Sequence, residues 1–206
     1  MKPNTDNLLP ITELYGLIVC GGKSSRMGQD KCMLIYHHKQ QAFHLFTMLE
    51  TFCKKVYISC NKRQINFFPE NIPTIIDLDV YLNIGPMAAL LSAFSFYPNA
   101  NFIMLGCDYP FLKTGDIKQL IDSIDKKDSA VSFYNSETEF YEPLLSYYSS
   151  ACYPLLKESF NQKNNSLQKF LTEIKTKKII PTSLKSIISV DTPENYFSAL
   201  KKLKNL

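Results

Sequence analysis

No stretch of the 206 residues is both long and apolar enough to span a membrane, and residues 1–13 (MKPNTDNLLPITE) lack the apolar core and small-residue cleavage site of a secretion signal. The sequence therefore reads as cytoplasmic, with no membrane partner. No two of the six cysteines (Cys20, Cys32, Cys53, Cys60, Cys107, Cys152) are spaced C-x-x-C. That scatter argues against a zinc ribbon or a disulfide framework and for reduced packing residues. There is no concentrated basic stripe; the formal net charge is +4 and the dense lysines (KKLK) sit at the C-terminal end. Nucleic acid is thereby disfavoured, while a small anionic ligand is well matched. No internal repeat and no low-complexity segment is present. A hydrolase elbow, G-x-S-x-G, is also missing, so Ser24 and Ser25 have no histidine partner to activate them. His37 and His38 lie in a polar turn and read as surface groups.

What the sequence does contain begins at Leu14. Leu14 to Cys20 is an apolar run without alternation, as in a buried strand of a parallel sheet, and it breaks at Gly21-Gly22 into GGKSSRMGQDK. Such a loop starts at the carboxyl end of its strand, where open α/β sheets bind ligands. Its glycines allow close backbone approach, and Lys23, Arg26 and Lys31 concentrate positive charge, which suits a polyphosphate. The spacing matches neither the P-loop G-x-x-x-x-G-K-[ST] nor the dinucleotide fingerprint G-x-G-x-x-G.

Further strands are expected at Val56–Cys60, Ile72–Asp77 and Asn101–Cys107, and helices near 42–53, 85–97 and 114–124. Phe43, Phe46, Leu49 and Phe52 recur at helical spacing and are assigned to the core. Strands then follow at 130–134 and 143–148, helices at 151–160 and 166–171, and short strands at 178–180 and 187–190. The residues between the loop and the first helix suggest a short extended excursion. A last helix starts at Pro193, capped by Asp191 or Thr192. Tyr147 and Tyr148 should face opposite sides of their strand, one in the core and one toward cleft or solvent.

The alternation predicts one doubly wound, mostly parallel α/β sheet of Rossmann-like type with helices on both faces. It follows a loose tail over residues 1–12. Residues 13–130 or so would hold the nucleotide-binding part, and about 131–206 the acceptor-binding part. Asp108 follows a hydrophobic strand and precedes Tyr-Pro-Phe, which places a carboxylate at the ligand edge. A hard divalent cation against phosphates needs such an oxygen ligand. Asp77 is its weaker companion, and Ser59 and Asn61 end the second strand where a base could be read.

The pattern GG-x-S-x-R-M-G-x-D-K, with LNIGPMAAL, GCDYPFL, EPLLSYY and VDTPENY, closely resembles the molybdenum cofactor guanylyltransferase family of nucleotidyltransferases, the family of molybdopterin-guanine dinucleotide biosynthesis protein A. The resemblance implies transfer of GMP from GTP to the terminal phosphate of a molybdopterin-type cofactor, with pyrophosphate released and Mg2+ as cofactor. It further implies nucleotide binding by Val19, Cys20, Gly21, Gly22, Lys31, Ser59, Asp77, Gly85 and Asp108. Arg26, Lys31 and Asp108 would be catalytic, Asp108 the metal ligand and Asp191 an acceptor contact. Molybdoenzymes or their chaperones would be downstream partners. A cytidylyltransferase, a sugar-phosphate nucleotidyltransferase and a nucleotide-binding module without catalysis stay open beside it. Ala89 replaces the second glycine of the family's GP-x-x-G, and Asp191 the asparagine of its N-T-P.

Overall fold

The computed structural model describes residues 14–20, 27–28 and 30–204. The tail expected over 1–12, and Gly21, Gly22 and Arg26, lie outside the described residues. Seven strands form one sheet: β1 (Leu14–Val19), β2 (Lys55–Cys60), β3 (Thr74–Ile76), β4 (Asn101–Gly106), β5 (Ala130–Asn135), β6 (Phe140–Tyr148) and β7 (Lys177–Ile179). Their spatial order is β3-β2-β1-β4-β6-β5-β7. β1 pairs in parallel with β2 and β4, and only β6 runs against its neighbours. The order reverses at β1, so the crevice at the carboxyl ends of β1, β2 and β4 is the expected ligand position for this topology.

Among the described residues six helices accompany the sheet: α1 (Gln41–Glu50), α2 (Met87–Phe96), α3 (Thr114–Asp122), α4 (Cys152–Asn161), α5 (Leu167–Glu173) and α6 (Pro193–Lys204). Strand alternation divides the core in two. Leu14 and Ile18 face α1 and α3, whereas Tyr15, Leu17 and Val19 face α2, α4 and α5. Phe46 and Leu49 are buried in the first layer, with Phe43 and Phe52 packed at its margin. A third, smaller cluster joins Met27, Leu34, Tyr36, Phe111 and Val190 to Ala199 of α6. It brings the end of the chain against the segment that follows the glycine-rich sequence. No helix among the described residues is long and apolar enough to cross a membrane.

Four expectations are corrected. Tyr147 and Tyr148 do point to opposite faces, but both are fully buried, because helices cover the sheet on both sides there. Residues 187–190 form no strand. A 3-10 turn occupies Leu184–Ile187, started by the Ser183 hydroxyl accepting from the Lys185 N–H, and the Val190 N–H donates to the Asp108 carbonyl at 2.8 Å. The excursion after the loop is a 3-10 turn at Lys31–Met33 followed by a single bridge between Ile35 and Gln40. His37 is no free surface group either: it bonds the Pro110 carbonyl at 2.8 Å and stacks on His44 at 4.1 Å. Burial and the neighbouring His37 hold the His44 imidazole down to about 4, so it is neutral at physiological pH.

Candidate active site

The site is assembled from strand ends. β4 is apolar through Leu105 and stops at Gly106, so Asp108 emerges at the carboxyl edge with little freedom. A Cβ on Gly106 would stand 2.5 Å from Asp108 Oδ1, the mark of a carboxylate folded back over its own strand. Lys31 reaches the same point from the turn after the glycine-rich sequence. Its ammonium is 3.8 Å from Asp108 Oδ2 and donates a short hydrogen bond to Asp191 Oδ1, 160 residues away. Thr192 takes the α6 cap by accepting from the Asn195 N–H at 3.3 Å, which leaves the Asp191 carboxylate free for Lys31. The negative charge that the sequence places at 191 is thus paired.

Among the described residues Asp108 Oδ1 has no hydrogen-bond partner and is buried, although the side chain as a whole keeps 18% of its surface. Burial pushes its carboxyl up to about 6, against the opposing pull of Lys31. An orphaned carboxylate oxygen at a strand's carboxyl end is the kind of donor that a hard cation such as Mg2+ takes. That ion commonly takes one or two protein carboxylates and completes its shell with water and phosphate oxygens. No group of three metal-ligating side chains occurs among the described residues.

Beside this cluster lies a cleft of about 650 Å³ lined by Val19, Asn61, Asp77, Asn83, Gly85, Ala88 and Ala89, with Lys62 and Arg63 at its rim. Gly85 adopts φ +68°, a left-handed value that a β-carbon would strain, and it turns the chain into α2 along the cleft wall. The two alanines give that wall a smooth surface. Ser59 itself is fully buried, and its hydroxyl donates to Asp77 Oδ1 at 2.8 Å, so it holds the cleft acid in place. Burial raises the Asp77 carboxyl while that hydrogen bond lowers it.

Cys20 directly follows β1. Its N–H donates to the Ser59 carbonyl at 2.9 Å, and its thiol sits 3.5 Å from that of Cys107. Burial raises the Cys20 thiol far above its usual range, so it stays protonated and serves packing.

Two features are not evident in the sequence. Gln64, in the turn after β2, is 2% exposed and donates through Nε2 to both the Cys20 carbonyl and Asp30. On the other flank, Glu142 accepts from the Tyr109 hydroxyl at 2.7 Å and opens a groove of about 1070 Å³. Phe140, Lys185, Ile188, Ser189 and Lys202 also line it. A polar residue in a polar turn carries no periodic signal of its burial, and a groove between distant segments carries none at all.

Comparison with known proteins places the chain in a family. The profile of the MobA-like NTP transferase domain matches residues 16–178. A molybdenum cofactor biosynthesis bifunctional protein from Synechocystis sp. is 30% identical over 186 residues, covering 90% of this chain and 53% of that protein. The chain thus spans about half the length of that relative. A molybdenum cofactor guanylyltransferase from Campylobacter jejuni (strain RM1221) is 25% identical over 197 residues, 95% of this chain and 100% of that one. The crystal structure of molybdopterin-guanine dinucleotide biosynthesis protein A from Archaeoglobus fulgidus superposes with a TM-score of 0.73 at 16% identity, covering 93% of this chain and all of that one. With its family profile matched over most of its length, the chain belongs to the MobA-like NTP transferase domain family and is a nucleotidyltransferase.

Proposed function

We propose that the chain transfers GMP from GTP to the terminal phosphate of a molybdopterin-type cofactor and releases pyrophosphate. The observation that carries this reading is the meeting of Lys31, Asp108 and Asp191 just past the carboxyl end of β4, whose Gly106 pairs with Val19 of the 650 Å³ cleft. The cleft would take the nucleoside, with Val19, Asn61, Asp77 and Gly85 around base and ribose. The groove would take the acceptor: Lys185 and Lys202 offer positive charge to its phosphate, and Phe140 and Ile188 offer apolar surface to its ring system. On this reading residues beyond about 130 serve the acceptor and those before it the nucleotide.

The chemistry asked of the protein is alignment and charge neutralisation, since an acceptor phosphate is already an anionic nucleophile. Lys31 would release Asp191 and turn toward the triphosphate, neutralising charge on the pyrophosphate as it leaves. Asp191 would then be free to meet the acceptor side. Asp108 would hold Mg2+ through the orphaned Oδ1, and the ion would supply Lewis-acid stabilisation of the phosphate oxygens.

Incubation with each of the four nucleoside triphosphates, with and without molybdopterin-type acceptor, tests the reading by pyrophosphate release. Acceptor-dependent release is expected with GTP and at least about tenfold less with CTP, a difference of about 1.4 kcal/mol in transition-state binding. Equal or preferred use of CTP would overturn the assignment of the base. Replacing Lys31 by Ala is expected to raise the KM for GTP about tenfold or more, as loss of a charge-assisted contact does. Isothermal titration with a non-hydrolysable GTP analogue checks it.

A further inference from the structure

Gln64 makes three side-chain hydrogen bonds while almost wholly buried. Nε2 donates to the Cys20 carbonyl at 3.0 Å and to Asp30 Oδ1 at 2.7 Å, and Oε1 accepts from the Asn61 N–H at 3.1 Å. Cys20 and Asp30 are the residues immediately before and after the segment 21–29 that carries the glycines and Arg26. Asp30 also immediately precedes Lys31, so whatever fixes Asp30 fixes the origin of the lysine side chain. The amide is itself aimed from below. Asn61 Oδ1 accepts from the Arg63 and Gln64 N–H groups at 2.9 and 3.2 Å, a tight turn that returns the glutamine toward β1. Asn61 lines the nucleoside cleft on its other side.

We propose that Gln64 is a positioning residue for nucleotidyl transfer: its amide fastens both anchors of the glycine-rich segment to the turn after β2, and so delivers Lys31 to the phosphates in register with the nucleoside cleft. The inference rests on the nucleotide reading of that cleft. A glutamine suits the task because one amide group donates twice and accepts once with no net charge. One of its contacts holds Asp30 Oδ1 and the other the Cys20 carbonyl, so the Asp30 carboxylate is fixed in direction. A structural role alone would show only in stability, whereas positioning must also show in nucleotide affinity.

The test uses Gln64→Leu, which keeps the volume and removes the bonds, Gln64→Glu, which sets a carboxylate against Asp30, and the exchange pair Gln64→Glu with Asp30→Asn, which restores a donor-acceptor pair in reverse. Gln64→Leu and Gln64→Glu are expected to raise the KM for GTP about tenfold with kcat changed less than about threefold, in line with loss of charge-assisted hydrogen bonds. The exchange pair is expected to recover part of that loss. Amide hydrogen exchange at Cys20 and Lys31 reads the clamp independently of any activity, and faster exchange there in Gln64→Leu at unchanged melting temperature supports it. Unchanged exchange, or a KM equal to that of the unaltered protein, overturns it. If the unaltered protein releases no pyrophosphate from any triphosphate, the nucleotide reading falls, and hydrogen exchange alone decides the clamp.

Discussion

Asp108→Asn is expected to lower turnover by about 10²–10³-fold or more, the usual scale for removing a preorganised electrostatic contact to developing charge. The same change is expected to stabilise the metal-free protein at neutral pH. The folded carboxyl titrates near 6, above the ordinary aspartate value of 3.8, so the folded chain holds this proton more tightly than the unfolded one. Stability from this group is therefore complete below about pH 4 and is lost as pH rises through 6. Above that range the buried charge costs on the order of 2–3 kcal/mol. Asparagine removes the titration. In EDTA the variant's melting temperature should exceed that of the unaltered protein at pH 8 and converge with it near pH 4. Full activity in the variant would remove Asp108 from the mechanism, and a lower melting temperature at pH 8 would show that its charge is not a cost to the fold.

Gly106→Ala is the second. The new methyl would meet Asp108 Oδ1 at 2.5 Å, Leu144 Cδ1 at 2.8 Å and Leu144 Cβ at 3.0 Å, so the carboxylate must leave its position or β6 must shift. About a hundredfold loss in kcat/KM is expected, since small misplacement of a reacting-site group has effects of that order. A destabilisation of about 1–3 kcal/mol should accompany it. Gly16→Ala supplies the contrast. Its methyl would press on Leu49 Cδ1 at 2.9 Å and on Val56 Cγ1 at 3.2 Å, beneath α1 and away from the carboxyl edge. It should lose comparable stability and keep its kinetic constants. Steady-state kinetics and urea unfolding on both variants check the pair, and equal kinetic losses would show that Gly106 acts through global stability alone.

Much of the parallel half of the fold is legible in the sequence, and for a definite reason. Leu14–Val19 and Asn101–Gly106 are buried on both faces, so their sequences are unbroken apolar runs whose ends mark the ligand edge, and Asp108 stands out there as the first carboxylate. The antiparallel half is harder. The direction of β6 leaves no trace in its composition, and Tyr147 and Tyr148 satisfy an alternating pattern whether or not the second face is covered. Ile187 to Val190 has the composition of a strand, yet it is held by tertiary contact: Val190 gives its N–H to Asp108 and its side chain to the cluster beneath α6. Within the site, Asp77 was visible as a strand-terminal acid, but the burial of Ser59 against it was not. Asp191 could be read equally as a cap or an acceptor contact; the structure gives the cap to Thr192 and pairs Asp191 with Lys31, which no spacing in the sequence announces.

The bond from Val190 to Asp108 and the pairing of Lys31 with a residue 160 positions later also bear on biosynthesis. A ribosome delivers the glycine-rich sequence, the residues of the 650 Å³ cleft and the acid at 108 well before the segment that braces Lys31 and Asp108. The nascent chain can therefore shape that cleft early, but the lysine acquires its second acid only after residue 191 has been translated.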